Sequence, residues 1–325
     1  MRAIIAKKKP LVQKRARAKS RRYAVSNWKI RRARGLQILE APALKRLDWL
    51  VHGFSTRPGG ASELERGHAG KTTAGKNLNL GFAEWDTRER VQENRDGFCS
   101  ALAAARMRLA TLSQIHSDVV HIAARAVASR NERPPKGDAL ITREPGVLLV
   151  VQTADCIPIL LADTRRRAVA AVHAGWRGTL SRIGAKTIGR MQMEFGTRPE
   201  DVFAALGPGI GRCCYEVDPE LAREFRGQFP NAREWFDGPF DALAADENDP
   251  NWLPWLTMRP PGHPPPPPRL QLDLIAANRA ILADAGVPSA QISASEFCTS
   301  CRTDLFFSFR RERTTGRMMA AIGIR

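Results

Sequence analysis

The chain has 325 residues, 43% of them hydrophobic, and a formal net charge of +18. This provides enough apolar surface for one large domain or two smaller ones. A membrane-spanning segment is excluded, because the longest apolar run, 147–162, is interrupted by Gln152, Asp155 and Pro158.

The positive charge is concentrated at the N-terminus. Residues 1–36 contain 14 Lys or Arg and no acidic residue, and the rest of the chain is close to charge balance. We interpret 1–36 as a basic, disordered tail that precedes a single domain at 37–325. The alternatives are a targeting segment, or an arm that contacts nucleic acid or anionic lipid. The apolar core of a secretion signal is missing, so a cytoplasmic location is the expectation.

Regular elements are predicted from hydrophobic periodicity in chain order. Residues 52–60 form a short strand that runs into a Gly-Pro turn, followed by a short polar-apolar segment at 77–82. The remaining predicted strands are 112–122, 146–152, 157–161, 168–173, 202–206, 292–297, 305–309 and 318–324. The predicted helices are 87–107, 178–195 and 272–285.

Residues 235–269 differ from the rest in composition. They combine several acidic residues, two tryptophans and five consecutive prolines at 264–268. A proline run cannot continue a helix or a central strand. We predict a surface insertion, and a stiff loop is favoured over a proline-rich docking motif.

Three side chains that can bind a metal lie at or near the ends of predicted strands: His116, Cys156 and His173. Two imidazoles and a thiolate suit Zn²⁺ and can also hold Cu²⁺. Three protein ligands leave a fourth position for water or substrate, as in a catalytic zinc site. The spacing also permits a buried thiol with two core histidines, or Cys156 as a nucleophile with a histidine base.

The other cysteines are weaker candidates. Six cysteines are too few for a disulfide framework in a chain of this length. Cys298 and Cys301 form one CxxC motif, and without a second pair we expect no four-thiolate zinc site. Cys213 and Cys214 are adjacent and are expected to pack in the interior.

Arginines and one turn are candidates for binding an anion. Arg57 and Arg177 each lie in a Gly-rich turn beside a candidate site element. Arg310 and Arg311 are further candidates, although most arginines are only surface charges. The turn Gly207–Gly211 could present backbone N–H groups to an anion, and a simple tight turn is the alternative.

Eight segments distributed in order from about residue 48 to the C-terminus carry a family resemblance. They are His52-Gly-Phe-Ser-Thr-Arg-Pro-Gly-Gly, Gln114-Ile-His, Gly137-Asp-Ala-Leu-Ile, Thr153-Ala-Asp-Cys-Ile-Pro, His173-Ala-Gly-Trp-Arg-Gly, Gly207-Pro-Gly-Ile-Gly-Arg-Cys-Cys-Tyr-Glu-Val, Leu272-Asp-Leu and Phe306-Phe-Ser-Phe-Arg-Arg. Together they resemble the YfiH/laccase-domain family, and the combination of the ADC and HAGWRG motifs is highly specific.

The resemblance implies an α+β fold, a four-layer α/β/β/α sandwich with mixed sheets. It implies that His116, Cys156 and His173 are zinc ligands. It also implies purine nucleosides and phosphate as substrates, with phosphorolysis of adenosine, inosine and methylthioadenosine and deamination of adenosine.

Further roles follow for residues in these motifs. Asp155, beside Cys156, is the candidate acid/base for deamination, and a structural, turn-forming aspartate is the alternative. Arg57 is the candidate that binds phosphate during catalysis. His52, Gln114 and Arg177 are candidates for binding substrate together with Arg57.

The family's other names lead to different hypotheses. The name peptidoglycan editing factor suggests a Cys156-dependent hydrolase, and polyphenol oxidase suggests copper chemistry. Six histidines in the whole chain are too few for a multicopper oxidase centre. A non-enzymatic protein with a basic arm is the remaining hypothesis.

Overall fold

A computed structural model describes residues 28–63, 75–123, 133–238, 240 and 269–325. Among these residues, no helix is long and apolar enough to cross a bilayer. The strands described are β1 (Lys29–Ala33), β2 (Leu36–Glu40), β3 (Leu50–Ser55), β4 (Pro58–Ser62), β5 (Arg108–Ala110), β6 (Val120–Ile122), β7 (Ala139–Thr142), β8 (Val147–Thr153), β9 (Ile157–Asp163), β10 (Ala168–Ala174), β11 (Val202–Leu206), β12 (Glu216–Val217), β13 (Phe236–Asp237), β14 (Leu270–Leu272), β15 (Ile292–Ala294) and β16 (Met318–Ile324). The helices are α1 (Pro42–Lys45), α2 (Arg88–Ala101), α3 (Trp176–Leu180), α4 (Ile183–Phe195), α5 (Pro219–Gln228), α6 (Leu274–Asp284) and α7 (Phe309–Glu312).

Two six-stranded sheets form the centre of the described structure. The first sheet has the order β1-β2-β3-β16-β8-β5, and the second has the order β15-β11-β9-β10-β7-β6. Three pairs, β5/β8, β6/β7 and β11/β15, are parallel, and the other pairs in these sheets are antiparallel. A small sheet, β12-β14-β13, lies apart from both.

The central strands are apolar on both faces because both faces are covered. In β8, Val147, Leu149 and Val151 face the core between the two sheets. Leu148 and Val150 face the opposite side, where α2 contributes Phe98 and neighbouring residues. The alternation explains why 147–151 is an unbroken apolar run.

The second sheet is covered on its outer face by α4 and α6, which share a core cluster with alternate residues of β9 and β10. Capping side chains fix two of the helix starts. The Thr87 hydroxyl accepts from Arg90 N at the start of α2, and the Asp273 carboxylate accepts from Ala276 N at the start of α6. The layers are therefore helix, sheet, sheet and helices, and the predicted α/β/β/α sandwich with mixed sheets is confirmed.

The predicted domain limits need two corrections. Strand β1 pairs with β2, and the Trp28 ring packs 5.3 Å from that of Phe54, so the folded part begins before residue 37. Trp235 and Phe236 are buried in the helical core cluster, so they belong to the domain and not to the insertion. The predicted tail at 1–27 and most of the insertion, including the proline run, lie outside the described residues.

Three predicted elements differ from the structure. Of 112–122 only β6 is a strand, and the preceding residues form an irregular loop. The predicted helix 178–195 is divided into α3 and α4, because Arg182 adopts a left-handed conformation with φ +58°. The apolar run 305–309 is a loop that leads into α7, with the Ser308 hydroxyl accepting from Arg311 N at its start.

Candidate metal centre and cavity

Three strand ends of the second sheet bring the candidate metal ligands together. Because β9 and β10 are antiparallel, the residue before β9, Cys156, meets the end of β10, where His173 stands opposite Pro158. His116 comes from the loop before β6 and has a left-handed backbone with φ +59°. The three donor atoms lie within 4.8 Å of one another, and Cys156 Sγ is 3.9 Å from His116 Nε2.

Asp138, which directly precedes β7, fixes the orientation of both histidines. Its carboxylate is fully buried and accepts a hydrogen bond from His173 Nδ1 at 2.8 Å. It also accepts from the backbone N–H groups of Ile115, His116 and Ser117 and from the Ser117 hydroxyl. The bond to Nδ1 leaves His173 Nε2 free to face the cluster, as is usual for a metal-binding histidine.

The charges in the cluster support one another. Burial alone would raise the pKa of Cys156, but the neighbouring His173 and His116 lower it to about 6. Burial alone would lower the pKa of His173, but Cys156 and Asp138 raise it to about 9. Burial alone would raise the pKa of Asp138, but hydrogen bonds from His173 and Ser117 hold it well below its usual value. The site thus favours a thiolate at Cys156.

Gly175 leaves room for this cluster. A Cβ atom at this position would lie 2.9 Å from Cys156 Sγ and 3.1 Å from the His116 ring. One thiolate and two imidazoles, packed closely with an open side toward a cavity, fit a divalent metal with three protein ligands. The residues therefore form a possible metal site.

The cluster opens into a cavity of about 610 Å³. Its wall has aromatic side chains, Trp176, Tyr215 and Phe309, and the arginines Arg310, Arg313 and Arg317. The guanidinium carbon of Arg310 lies over the ring of Tyr215, 5.0 Å from its centre. Such a cavity can accept a flat, uncharged ring system together with an anionic group.

The arginines differ in their partners. The Arg310 side chain donates to Glu216 O, and the Arg317 side chain donates to Gly316 O. Within the described residues, Arg313 and Arg317 form no ion pair, although burial lowers the pKa of Arg317. Both guanidinium groups can therefore take an external anion without first leaving a carboxylate.

Residues 51–325 match the family described as multi-copper polyphenol oxidoreductase laccase. The chain belongs to this family. Relatives include a purine nucleoside phosphorylase of Deinococcus radiodurans, 38% identical over 90% of this chain and 94% of the relative. The adenosine deaminase RL5, from an unknown prokaryotic organism, is 37% identical over 54% of this chain and 56% of its own length. The crystal structure of YlmD from Geobacillus stearothermophilus superposes with a TM-score of 0.71 at 33% identity, covering 91% of this chain and 98% of that one.

The laccase-family name implies several metals, but the described residues contain two groups with the side chains for a metal. One is the cluster of His116, Cys156 and His173, and the other consists of four cysteines. Two further histidines within the described ranges have other contacts: the Nε2 atom of His52 accepts from Ala41 N, and His121 Nε2 is 2.9 Å from Lys136 O.

Asp155 lines the cavity, but its carboxylate already has partners in this laccase-family fold. One oxygen accepts from the Thr299 hydroxyl at 2.7 Å, and the other accepts from Arg310 N at 2.6 Å. Its backbone is left-handed, with φ +93°, and its carbonyl accepts from Ile210 N. Asp155 therefore has the turn-forming role that was the alternative interpretation, while its position in the cavity leaves the acid/base role a prediction.

Two predicted substrate-binding residues do not reach the cavity. His52 is buried in β3, lines a separate cavity beside Glu40, and binds Ala41 N. Arg57 is 2% exposed, with Glu312 at 2.7 Å, Asn77 at 2.9 Å and the ring of Phe307 beneath it. The predicted roles of His52 in substrate binding and of Arg57 in phosphate binding are corrected here, because these contacts hold both side chains in the interior.

Gln114 and Arg177 lie near the cavity in different ways. Gln114 lines it, but its amide is bonded at both ends to the backbone of Gln152, at 2.7 and 2.8 Å. Arg177 is exposed and stacks on Trp176, with its guanidinium carbon 4.6 Å from the ring centre. Gln114 shapes the wall, and the role of Arg177 at the rim stays a prediction.

Sequence analysis missed Asp138 and Arg317. Asp138 stands in the motif Gly137-Asp-Ala-Leu-Ile, and a buried aspartate just before a strand was the available signal. Arg317 stands just before β16, in a stretch with no motif among those that carried the resemblance. Arg313, also missed, is marked by a left-handed backbone with φ +62°.

The four remaining candidate cysteines require a correction. Cys213, Cys214, Cys298 and Cys301 come together, with their sulfur atoms within 4.8 Å of one another. The expectation that Cys298 and Cys301 lack a second pair was wrong, as was interior packing of Cys213, whose side chain is exposed.

Proposed function

We propose that this chain is a zinc-dependent purine nucleoside phosphorylase that acts on adenosine, inosine and methylthioadenosine and also deaminates adenosine. The observation that carries the proposal is one cavity that combines three metal-binding side chains, aromatic surfaces and arginines available for an anion. The names of the relatives, purine nucleoside phosphorylase and adenosine deaminase, support the substrate class.

Aromatic side chains provide the surface for the base. Trp176, Tyr215 and Phe309 line the cavity, and Phe309 is 48% exposed, so its ring is available to a ligand. Burial raises the pKa of Tyr215, so its hydroxyl stays protonated and can donate a hydrogen bond to a purine nitrogen. A purine would gain stacking contacts here that a phosphate or sugar alone would not.

Arginines provide the site for phosphate. In phosphorolysis a phosphate oxygen forms a bond to C1′ of the ribose and the bond from C1′ to the purine nitrogen breaks. The electron pair goes to the purine, which takes up a proton. Arg313 and Arg317 would bind the phosphate and hold it for this attack, in the role first predicted for Arg57.

When bound, a zinc ion would supply a Lewis acid that polarises a water molecule or a substrate atom. Asp138 holds His173 with Nε2 toward the cluster, and the environment of Cys156 favours its thiolate, so the protein side of this centre is prepared in advance. Deamination adds water at C6 of adenine and releases ammonia. Asp155 is the carboxylate among the described cavity residues that could move the required proton.

The test is to incubate the purified full-length protein with adenosine, with and without phosphate, and to identify the products. Adenine and ribose 1-phosphate would support phosphorolysis, and inosine would support deamination. If the zinc-loaded protein forms neither product, the proposal fails.

A matched pair of variants separates the two reactions. Arg317→Gln should raise the KM for phosphate roughly 10- to 100-fold, because it removes charge-assisted hydrogen bonds. Deamination, which uses no phosphate, should change much less. Arg302→Gln is the control, because Arg302 is paired with Asp304 and does not line the cavity.

A thiol-dependent hydrolase is the second candidate. The observation that favours it is the lowered pKa of Cys156 beside two imidazoles, which is also typical of a nucleophilic cysteine. A metal-free preparation that is fully active and is inactivated by iodoacetamide would select this candidate over the zinc enzyme.

A further inference from the structure

Two loops that carry cysteine pairs meet at one edge of the second sheet. Strands β11 and β15 are parallel neighbours, so the segments that follow them leave the sheet at the same edge. The pairing continues beyond the strands as a bridge between Gly209 and Cys298, and Thr299 N donates to Gly209 O. This places Cys213 and Cys214, which follow β11, beside the CxxC pair Cys298 and Cys301.

The distances between the sulfur atoms fit one metal ion. Cys301 Sγ lies 3.5 Å from Cys213 Sγ and 3.4 Å from Cys214 Sγ, and all four sulfurs lie within 4.8 Å of one another. Tetrahedral zinc with Zn–S bonds of about 2.3 Å separates its sulfur ligands by about 3.8 Å. The cysteines are thus already close to the geometry of a four-thiolate site.

The surrounding backbone favours thiolates. Gly211 N donates to Cys298 Sγ at 3.1 Å, and N–H groups directed at sulfur are contacts that support metal-bound thiolates. A Cβ atom at Gly211 would lie 3.1 Å from the Cβ of Cys298 and 3.3 Å from Cys213 Sγ. Glycine at this position therefore lets the backbone approach the sulfurs closely.

Core packing, a disulfide and an iron–sulfur cluster each fit these four cysteines less well than a single ion. Hydrophobic packing does not account for Cys213 and Cys301, which are exposed. All four thiols are free, so no disulfide draws them together. An iron–sulfur cluster also uses four cysteines, but it must fit between its ligands and separates them further than a single ion does.

We propose that Cys213, Cys214, Cys298 and Cys301 bind a second, structural zinc ion through four thiolates. Four ligands from the protein leave no open position, so this site does no chemistry on substrate. The proposal does not depend on the reaction that the first centre performs.

The site would fasten two loops that hold Asp155. The Thr299 hydroxyl, between the CxxC cysteines, donates to the Asp155 carboxylate, and Ile210 N, before the other pair, donates to its carbonyl. Asp155 directly precedes Cys156, so a metal at the four cysteines would keep this part of the cavity wall in place.

The experiment is metal analysis of the full-length protein purified without chelators. We expect two zinc ions per chain in the wild type, one in His173→Ala and one in Cys301→Ser. Cys99→Ser is the control and should keep both, because Cys99 lies in α2 outside the two clusters.

X-ray absorption on zinc-loaded His173→Ala, which retains all four cysteines, identifies the ligands without altering the new site. A shell of four sulfurs at about 2.3 Å is expected. The proposal is overturned if His173→Ala contains no zinc, if its zinc has nitrogen ligands, or if the mass of the intact wild type shows a disulfide among these cysteines. If Cys301→Ser does not fold, the stoichiometry and ligand shell of His173→Ala still decide the question.

Discussion

Replacing Asp138 with asparagine should weaken the first metal site while keeping the shape of the side chain. The carboxylate accepts five hydrogen bonds, three from backbone N–H groups, one from the Ser117 hydroxyl and one from His173 Nδ1. An amide has one oxygen, so its NH₂ group must face either the donors of the 115–117 loop or His173 Nδ1.

Either orientation disturbs a metal ligand. If the NH₂ group faces His173, the imidazole changes tautomer, and the proton on Nε2 then blocks metal binding. If it faces the loop, buried N–H groups lose their acceptor, at about 1–3 kcal/mol each, and the loop that carries His116 loosens. We expect a 10- to 100-fold loss of zinc affinity, the usual effect of removing a group that orients a metal ligand.

Competition with a chromophoric chelator measures this loss. Asp163→Asn is the matched control, because Asp163 is equally buried but accepts from Arg165 N and Arg166 N after β9, away from the cluster. The control should bind zinc as the wild type does. If folded Asp138→Asn also binds zinc with wild-type affinity, the inference that Asp138 orients the histidines is wrong.

Three further predictions concern other parts of the fold. Gly175→Ala should lose the first zinc, because the new methyl group would lie 2.9 Å from the ligand sulfur, whereas Gly189→Ala in α4, with nothing within 4 Å, should keep it and stabilise the helix by about 0.5–1 kcal/mol; metal analysis and urea unfolding distinguish them. Burial lowers the pKa of His52 to about 4, so only the unfolded chain takes up a proton as the pH falls below about 6.5. The stability advantage of the wild type over His52→Gln should therefore shrink by up to about 3 kcal/mol between pH 6.5 and 4, and a constant difference in urea unfolding would contradict this. Deleting 1–27 should leave the free energy of unfolding within about 0.5 kcal/mol, whereas deleting 1–36 removes β1 and should lower it by about 2 kcal/mol or more; equal stability of the two truncations would refute this.

Much of the layered fold follows from local sequence. The apolar stretches that became β8, β9, β10 and β16 were predicted within two residues of their ends, because central strands covered on both faces form long apolar runs. The run 305–309 looked like a strand for the same reason. Phe306 and Phe307 instead pack into a small separate cluster, and Ser308 begins a helix.

The site was predictable where a motif carried the chemistry and not where distant segments meet. His116, Cys156 and His173 stand in three motifs and do come together. Arg57 misled because a Gly-rich turn does not reveal whether its arginine points outward, and its partner Glu312 lies 255 residues away. The four-cysteine cluster depends on the parallel pairing of β11 with β15, which no local pattern indicates.

The short ladder between β13 and β14 has a consequence for how this chain can vary. Phe236 pairs with Leu272 and Asp237 with Gln271, so the two ends of the intervening segment are held side by side. The entropy cost of closing a loop rises only with the logarithm of its length, by about 0.6 kcal/mol for each doubling. The domain can therefore tolerate chain of very different length and composition here, including five consecutive prolines, at little cost to the cavity on the neighbouring sheet.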